Sequence, residues 1–255
     1  MSETRVLAGE FSREENRSLD EGRLVAALLA GRGPGLMVDV GAHHGGSARP
    51  FLEAGWTVHA FEPDPDNRAV LERLHGHRPN LVIDPRAVGD KALDAAPFYA
   101  SEESSGISGL TAFTPGHERR GEVAVVTLSG VLAERGVERV DYLKIDTEGY
   151  DLFVLRGFAW ERYGPEAVLC EFDDAKTLPL GYGFHDLCGF LMDRGYHVLA
   201  SEWHPIVRYG IPHQFKRLAA YPSELTDAKA WGNVLAFREP PDMDRLRREL
   251  SALMD

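Results

Sequence analysis

The sequence is poor in cysteine and lacks a long apolar run. Its 255 residues include two cysteines, Cys170 and Cys188, which are too few for a disulfide framework and do not have the spacing of a metal site. We expect both to be buried free thiols. No apolar run approaches the roughly 18 residues of a membrane helix, and the N-terminus "MSETRVLAGEFSREEN" has no signal-peptide core. We therefore expect a cytoplasmic protein with no membrane partner.

Positive charge is also scarce. The chain has 28 basic and 40 acidic side chains, which gives a formal net charge of −12. Such a surface repels a phosphate backbone. We therefore expect the partner to be a small molecule and not a nucleic acid.

Short β-rich runs alternate with helical patterns along most of the chain. The runs "GLMVDVG", "TVHAFEP" and "NLVIDPRAV" are separated by helical stretches, which is typical of a parallel sheet covered by helices. Between "YHVLASEWHPIVRYG" and "GNVLAF" no helix is long enough for a crossover, so these two strands should be antiparallel. The sequence predicts an α/β fold whose mostly parallel sheet has seven strands, one antiparallel edge strand and helices on both faces.

We divide the chain into an N-terminal helical extension (1–34), a main domain (35–240) and a C-terminal helix (241–255). The last segment places Met243, Leu246, Leu250 and Leu253 at helical spacing. Two interpretations of this apolar face are open. It packs on its own domain, which we favour, or it forms a homodimer contact.

The stretch "VDVGAHHGG" (38–46) has the form of a nucleotide-binding turn. A dinucleotide loop needs a second glycine where this chain has His43, because bare backbone must approach the pyrophosphate. Asp39, two residues before Gly41, instead suits a ligand that carries an ammonium group and no phosphate. Glu62 follows the next strand at the distance expected of a ribose-binding carboxylate. These features favour S-adenosylmethionine as the ligand.

Six segments, in order, carry a resemblance to a known family: "VDVGAHHGG", "AFEPDPDNRAVLERL", "AVGD", "VTLSGVLAERG", "VDYLKIDTEGYDLFVLRGF" and "VLCEFD". Together they resemble the FkbM-type S-adenosylmethionine-dependent methyltransferases. The resemblance implies a class I, Rossmann-like methyltransferase fold and methyl transfer to a hydroxyl of a sugar or natural product. The family commonly has Asn where this chain has His43, and Asn adopts left-handed backbone angles more readily.

We predict a role for each residue around the turn. Gly41, Ala42 and Gly45, with His43 among them, should wrap the methionine end, and Asp39 should support the ammonium directly or through a water. Glu62 should bind both ribose hydroxyls. The adenine should lie beside Pro63 or Asp64 and near the "RAV" turn, which includes Ala87 and Val88.

An acidic cluster is predicted at the carboxyl ends of two later strands, where ligands bind in open parallel sheets. It comprises Asp146, Glu148, Glu171 and Asp173. Close carboxylates need a proton or a cation, so the cluster suggests either a general base or a magnesium site formed by Asp146, Glu171 and Asp173. Alternatively, Asp146 and Glu148 cap the following helix and Lys144 neutralises a buried carboxylate.

Histidine is the other candidate base, because its pKa lies near neutrality. His204 and His213 lie in a loop that we expect to overhang the substrate, and His44 lies beside the predicted sulfonium. We name Asp146 and His204 as the catalytic candidates. Two functions other than O-methyl transfer remain open: a nicotinamide-dependent oxidoreductase, which would lack its second glycine and a Tyr-x-x-x-Lys pair, and a non-catalytic S-adenosylmethionine-binding protein.

Overall fold

The computed structural model describes residues 6–254, and they form twelve strands and nine α-helices. The strands are β1 (Val6–Gly9), β2 (Leu36–Val40), β3 (Thr57–Phe61), β4 (Leu81–Asp84), β5 (Ala87–Val88), β6 (Leu93–Ser101), β7 (His117–Val126), β8 (Tyr142–Ile145), β9 (Ala167–Asp173), β10 (His197–Trp203), β11 (Phe215–Ala220) and β12 (Trp231–Phe237). The helices are α1 (Glu21–Leu29), α2 (Arg49–Glu53), α3 (Pro65–His75), α4 (Leu128–Glu134), α5 (Asp151–Arg156), α6 (Trp160–Tyr163), α7 (Asp174–Thr177), α8 (Phe184–Met192) and α9 (Met243–Met254).

The chain divides into two compact units. The central unit is Gly33–Glu166, and the terminal unit joins the residues up to Arg32 with those from Ala167 onwards. The central unit begins near the predicted boundary at residue 34, whereas the predicted main domain (35–240) is divided between the two units after Glu166. The extension predicted to be helical holds β1 as well as α1, and residues 1–5 lie outside the described part of the chain.

The central unit contains the predicted parallel arrangement. Its strands run β8-β2-β3-β4, all parallel, and α2 and α3 connect β2 to β3 and β3 to β4. β8 is buried along its whole length and β2 along nearly all of it, as expected of strands covered on both faces. β7 does not join these strands, because it pairs with β6 and β5 in a separate three-stranded sheet.

The terminal unit corrects the prediction of seven strands with one antiparallel edge. Its strands run β1-β11-β10-β12-β9, and every neighbouring pair is antiparallel. The antiparallel strand β12 therefore lies in the interior of this arrangement, between β9 and β10. No helix separates β10, β11 and β12 along the chain, and connections without a crossover helix allow only antiparallel neighbours. The four parallel strands of the central unit and the five antiparallel strands of the terminal unit make nine, where seven were expected.

The C-terminal helix packs back on its own chain. α9 lies against α1, and Leu246 and Leu250 are buried there. The Arg245 guanidinium donates to the carbonyl oxygens of Ala27 and Ala30 at 2.6 and 2.9 Å, near the end of α1. Of the two interpretations of this face, packing on its own domain is the one that the structure shows. The homodimer stays a prediction.

Both cysteines are buried free thiols, as the composition indicated. Among residues 6–254, no helix combines the length and apolar character needed to span a membrane.

Candidate functional site

The turn that follows β2 adopts a conformation that requires glycine at its first position. Gly41 has a φ of +74°, and a Cβ added there would lie 1.8 Å from the carbonyl oxygen of Asp146. His43 has a φ of +50°, so the chain adopts the left-handed turn with histidine where asparagine is common. The Gly41 and Ala42 amides donate to the Phe61 carbonyl oxygen, which fixes the turn against the end of β3.

Glu62 lies one residue beyond β3 and closes the other side of this turn. Its carboxylate accepts the His43 amide at 2.6 Å and the Asp64 amide at 2.9 Å, one on each oxygen. Each carboxylate oxygen has a second lone pair, so both can also accept a ligand hydroxyl. Burial raises the pKa of Glu62 to about 7, against an ordinary value of 4.5.

The turn, the end of β3 and the loop after β8 surround a cavity of about 240 Å³ within the central unit. Eight of the predicted site residues line it: Gly41, Ala42, His43, Glu62, Pro63, Ala87, Val88 and Asp146. Two others, Asp39 and Gly45, are not part of its lining. The sequence therefore predicted most of one wall, and two contacts need correction.

Asp39 does not face the cavity as expected. Its carboxylate is completely buried, and the Lys144 ammonium lies 3.2 Å from its Oδ1. Burial raises the pKa of Asp39, and Lys144 opposes that shift. The prediction that Asp39 supports a ligand ammonium is corrected: the cation beside this carboxylate is a lysine of the chain itself.

Gly45 is a packing residue of the turn. It has a φ of +82°, and a Cβ there would approach Leu71 Cδ1 at 2.6 Å and His75 Cδ2 at 2.7 Å. The glycine is therefore needed for close contact with α3, and its predicted contact with the ligand is corrected.

The loop after β8 presents Asp146 and Glu148 to the cavity. The Asp146 side chain is 45% exposed and lies 3.7 Å from the Lys144 ammonium. Glu148 is buried and has a φ of +57°, a left-handed conformation that is strained for a residue other than glycine and that recurs at functional sites. Asp151, not Asp146, accepts the Thr147 amide and hydroxyl at the start of α5. Asp146 thus remains available to a ligand in the cavity.

A second wall of the cavity is formed by residues 105–110, between β6 and β7, and none of them is among the predicted site residues. Ser105, Gly106, Ser108, Gly109 and Leu110 all line the cavity. Three hydrogen bonds fix this segment: the Ser105 hydroxyl lies 2.9 Å from His43 Nε2, the Asn67 side-chain amide donates to the Ser105 carbonyl oxygen, and the Ser108 hydroxyl donates to Asp64. The composition of this polar stretch, "YASEESSGISGL", does not show which residues it contacts.

Glu171 and Asp173 lie in β9, in the terminal unit, and a lysine relieves their charge. The Lys176 ammonium donates to both Glu171 oxygens at 3.1 Å and lies 3.9 Å from Asp173 Oδ2. Asp173 also caps α7 by accepting the Ala175 amide. A magnesium ion would have to share these oxygens with an ammonium group or displace it, and the magnesium site of Asp146, Glu171 and Asp173 stays a prediction.

His204 also belongs to the terminal unit and has a structural partner there. Its Nε2 lies 2.9 Å from the carbonyl oxygen of Phe11, and its own carbonyl oxygen accepts the Trp231 indole N–H. The His213 ring packs edge-on against Trp231. The structure thus gives His204 a hydrogen bond that ties two loops together, and its catalytic role stays a prediction.

The match to a protein-family model agrees with the resemblance found in the sequence. Residues 39–198 match the model of the methyltransferase FkbM domain. No curated protein matches the chain. Similar solved structures include the precorrin-6y C5,15-methyltransferase from Geobacter metallireducens GS-15, with 13% identity, a TM-score of 0.43 and coverage of 85% of this chain and 87% of that one.

Two further solved structures are similar at the same level. An rRNA methylase from Streptococcus thermophilus has 9% identity and a TM-score of 0.44, with coverage of 86% of this chain and 95% of that one. Magnesium protoporphyrin IX methyltransferase from Synechocystis PCC 6803 has 12% identity and a TM-score of 0.41, with coverage of 86% and 77%. TM-scores below 0.5 are too low to carry an argument, so the assignment depends on the domain match. Since that match spans well over half of the 255 residues, the chain belongs to the methyltransferase FkbM domain family.

Proposed function

We propose that this protein transfers a methyl group from S-adenosylmethionine to a hydroxyl of a small molecule, a sugar or a glycosylated natural product. The observation that carries the proposal is Glu62, a buried carboxylate fixed by two backbone amides and facing the same cavity as the glycine turn. A 1,2-diol matches two fixed acceptor oxygens, and ribose offers that diol.

The residues around the cavity fit the cofactor. Glu62 would hold the ribose hydroxyls, the backbone of Gly41 and Ala42 would follow the methionine end, and Ala87 and Val88 would lie along the adenine. When bound, S-adenosylmethionine supplies a methyl group on a positively charged sulfur. The chain itself has to orient the acceptor and receive the proton that its hydroxyl loses.

Asp146 is the residue that we propose for the acceptor. Its partly exposed carboxylate lines the cavity beside the turn, so it can accept a hydrogen bond from an acceptor hydroxyl bound in the cavity next to the donor methyl group. The Asp146 carboxylate would receive the proton of the acceptor O–H bond as the oxygen takes the methyl group, and the broken sulfur–methyl bond would leave S-adenosylhomocysteine. Because Lys176 occupies the carboxylates of β9, we propose this reaction without magnesium.

The geometry argues against a nicotinamide cofactor. In a dinucleotide loop, the position of His43 is a glycine that leaves room for a pyrophosphate. Here the imidazole lines the cavity and stacks on His44, with 3.7 Å between the ring centroids. Burial and the neighbouring His44 lower the pKa of His43, so the ring offers no positive charge to a phosphate at neutral pH.

Calorimetry with S-adenosylhomocysteine and with NAD tests the cofactor. We expect saturable binding of the first ligand and none of the second, and the reverse result would refute the proposal. Incubation with methyl-labelled S-adenosylmethionine and a panel of monosaccharides, glycosides and short RNAs then tests the acceptor. Label on a sugar hydroxyl supports the proposal, label on RNA overturns the acceptor class, and binding without transfer to any acceptor indicates a non-catalytic binding protein.

A further inference from the structure

Two charged residues interrupt the buried parallel strands of the central unit. Asp39 in β2 and Lys144 in β8 are direct partners in the register of these strands. Their side chains meet at 3.2 Å, and the exposed fraction is 0% for Asp39 and 7% for Lys144. A buried charge without a partner is strongly unfavourable, so neither residue can be replaced alone without cost.

The Lys144 ammonium contacts more than Asp39. It donates to the Gly41 carbonyl oxygen at 2.7 Å and lies 3.7 Å from Asp146 Oδ2. The ammonium group thus has one hydrogen-bond acceptor in the turn, the Gly41 carbonyl oxygen, and two carboxylates within ion-pair distance, those of Asp39 and Asp146. Burial by itself would lower the pKa of Lys144, but the carboxylates of Asp39 and Asp146 outweigh it and raise that pKa, so the group stays charged.

These two additional partners of the Lys144 ammonium group, Gly41 and Asp146, belong to different parts of the cavity wall. Gly41 begins the turn after β2, whereas Asp146 begins the loop after β8. The far side of the turn is fixed by Glu62, which accepts the His43 amide. The turn therefore has two side-chain tethers, Lys144 at its first residue and Glu62 two residues later.

We propose that Lys144 is a positioning residue, which holds the cofactor-binding turn and the acceptor-facing Asp146 in a fixed relation. This inference rests on the proposed function of the cavity. Neutralising Asp39 needs only a positive charge. Fixing the turn needs a donor at the Gly41 carbonyl oxygen, and Lys144 supplies both with one group.

Removing the ion pair as a whole separates the two roles. Lys144→Met alone leaves Asp39 buried without a partner and should destabilise the fold. The double variant Asp39→Leu/Lys144→Met replaces the pair by apolar groups of similar size, an exchange that is often neutral for stability. We expect a melting temperature close to that of the wild type, together with S-adenosylhomocysteine binding at least about tenfold weaker, since a hydrogen bond from a charged donor to the turn is lost.

Two further variants sharpen the test. Asp39→Asn keeps the lysine and its bond to Gly41, so its affinity for S-adenosylhomocysteine should stay near the wild-type value. The matched control is Glu202→Leu/Arg217→Met, which removes a buried ion pair of the terminal unit, 2.7 Å apart, and should also leave the affinity unchanged.

Calorimetry and thermal melts on the four proteins decide the outcome. A stable Asp39→Leu/Lys144→Met variant with wild-type affinity would overturn the inference, and so would an Asp39→Asn variant that binds as weakly as the double variant. A wild-type protein that binds no S-adenosylhomocysteine would instead overturn the proposed function, together with the inference that rests on it.

Discussion

Replacing Glu62 by glutamine removes one charge from the cavity and keeps the size of the side chain. The wild-type carboxylate accepts two backbone amides and, in the proposed complex, two ribose hydroxyls. Hydrogen bonds to a charged group are worth about 1.5 to 3 kcal/mol, so at pH 8 the variant should bind S-adenosylhomocysteine about tenfold to hundredfold more weakly. Alanine would be a poorer test, because it would leave both amides without an acceptor.

The raised pKa of Glu62 predicts that wild-type binding depends on pH. With a pKa of about 7, roughly a tenth of the carboxyl is ionised at pH 6 and about nine-tenths at pH 8. If only the ionised form accepts both hydroxyls, the affinity should fall about tenfold from pH 8 to pH 6. Ligand binding should also release a proton near pH 6.5, because the hydroxyls favour the carboxylate form.

The same raised pKa has the opposite effect on the stability of the ligand-free fold, because it lowers the free energy of unfolding as the pH rises. Below pH 4.5 the Glu62 carboxyl is protonated in both the folded and the unfolded chain, so it does not affect the free energy of unfolding. Between pH 4.5 and about 7 the unfolded chain ionises first, so this group lowers the free energy of unfolding, by an amount on the order of 3 kcal/mol. Above pH 7 the loss is constant. Ligand-free protein should therefore lose stability over the pH range in which it gains affinity.

The assay is calorimetric titration with S-adenosylhomocysteine from pH 6 to 8, in buffers of different ionisation enthalpy. Several charged or titratable groups adjoin Glu62, namely His43, Asp64 and Lys144. His43→Asn removes the imidazole and should keep the pH dependence, whereas Glu62→Gln should abolish it. Asp141→Asn is the matched control, because Asp141 is another buried carboxylate that accepts a backbone amide, from Leu36 at 2.8 Å, and does not line the cavity. Equal affinities of wild type and Glu62→Gln at pH 8, or a flat wild-type profile, would refute the reasoning.

Three further predictions concern the acceptor, the turn and the C-terminal helix. Asp146→Asn should lower methyl transfer to an identified acceptor by roughly a hundredfold while S-adenosylhomocysteine affinity changes little. EDTA should not affect wild-type turnover. Loss of activity in EDTA with recovery in magnesium would contradict the metal-free mechanism. Gly41→Ala should lower the melting temperature sharply, because the added Cβ meets the Asp146 carbonyl oxygen at 1.8 Å. Gly46→Ala should not, because its added Cβ has no neighbour within 4 Å. Equal melting curves of the two variants would refute the geometry of the turn. Leu246→Ala should cost about 2 to 5 kcal/mol in urea unfolding without changing the sedimentation coefficient of the folded protein, and a shift to a smaller species would indicate a dimer contact instead.

Features that depend on neighbouring residues could be predicted from the amino-acid pattern alone. The glycine turn, the carboxylate after the next strand and the alternation of strands and helices are local patterns, so the family, the parallel strands and most of one wall of the cavity could be predicted. The packing of α9 could also be predicted, because a helical apolar stripe has to be covered.

The pairing of charges that are distant in the chain depends on the fold. Asp39 and Lys144 are far apart in the chain and meet because β2 and β8 are neighbours in register. Asp39, which was expected to contact the ligand, is therefore one half of a buried ion pair. Lys176 likewise occupies the carboxylates that resembled a metal site. The strand pairing in the terminal unit and the wall formed by residues 105–110 depend on loop conformation. Charge patterns in a sequence show which groups need a partner, and the fold alone selects which partner lies within about 4 Å, where pairing is strong.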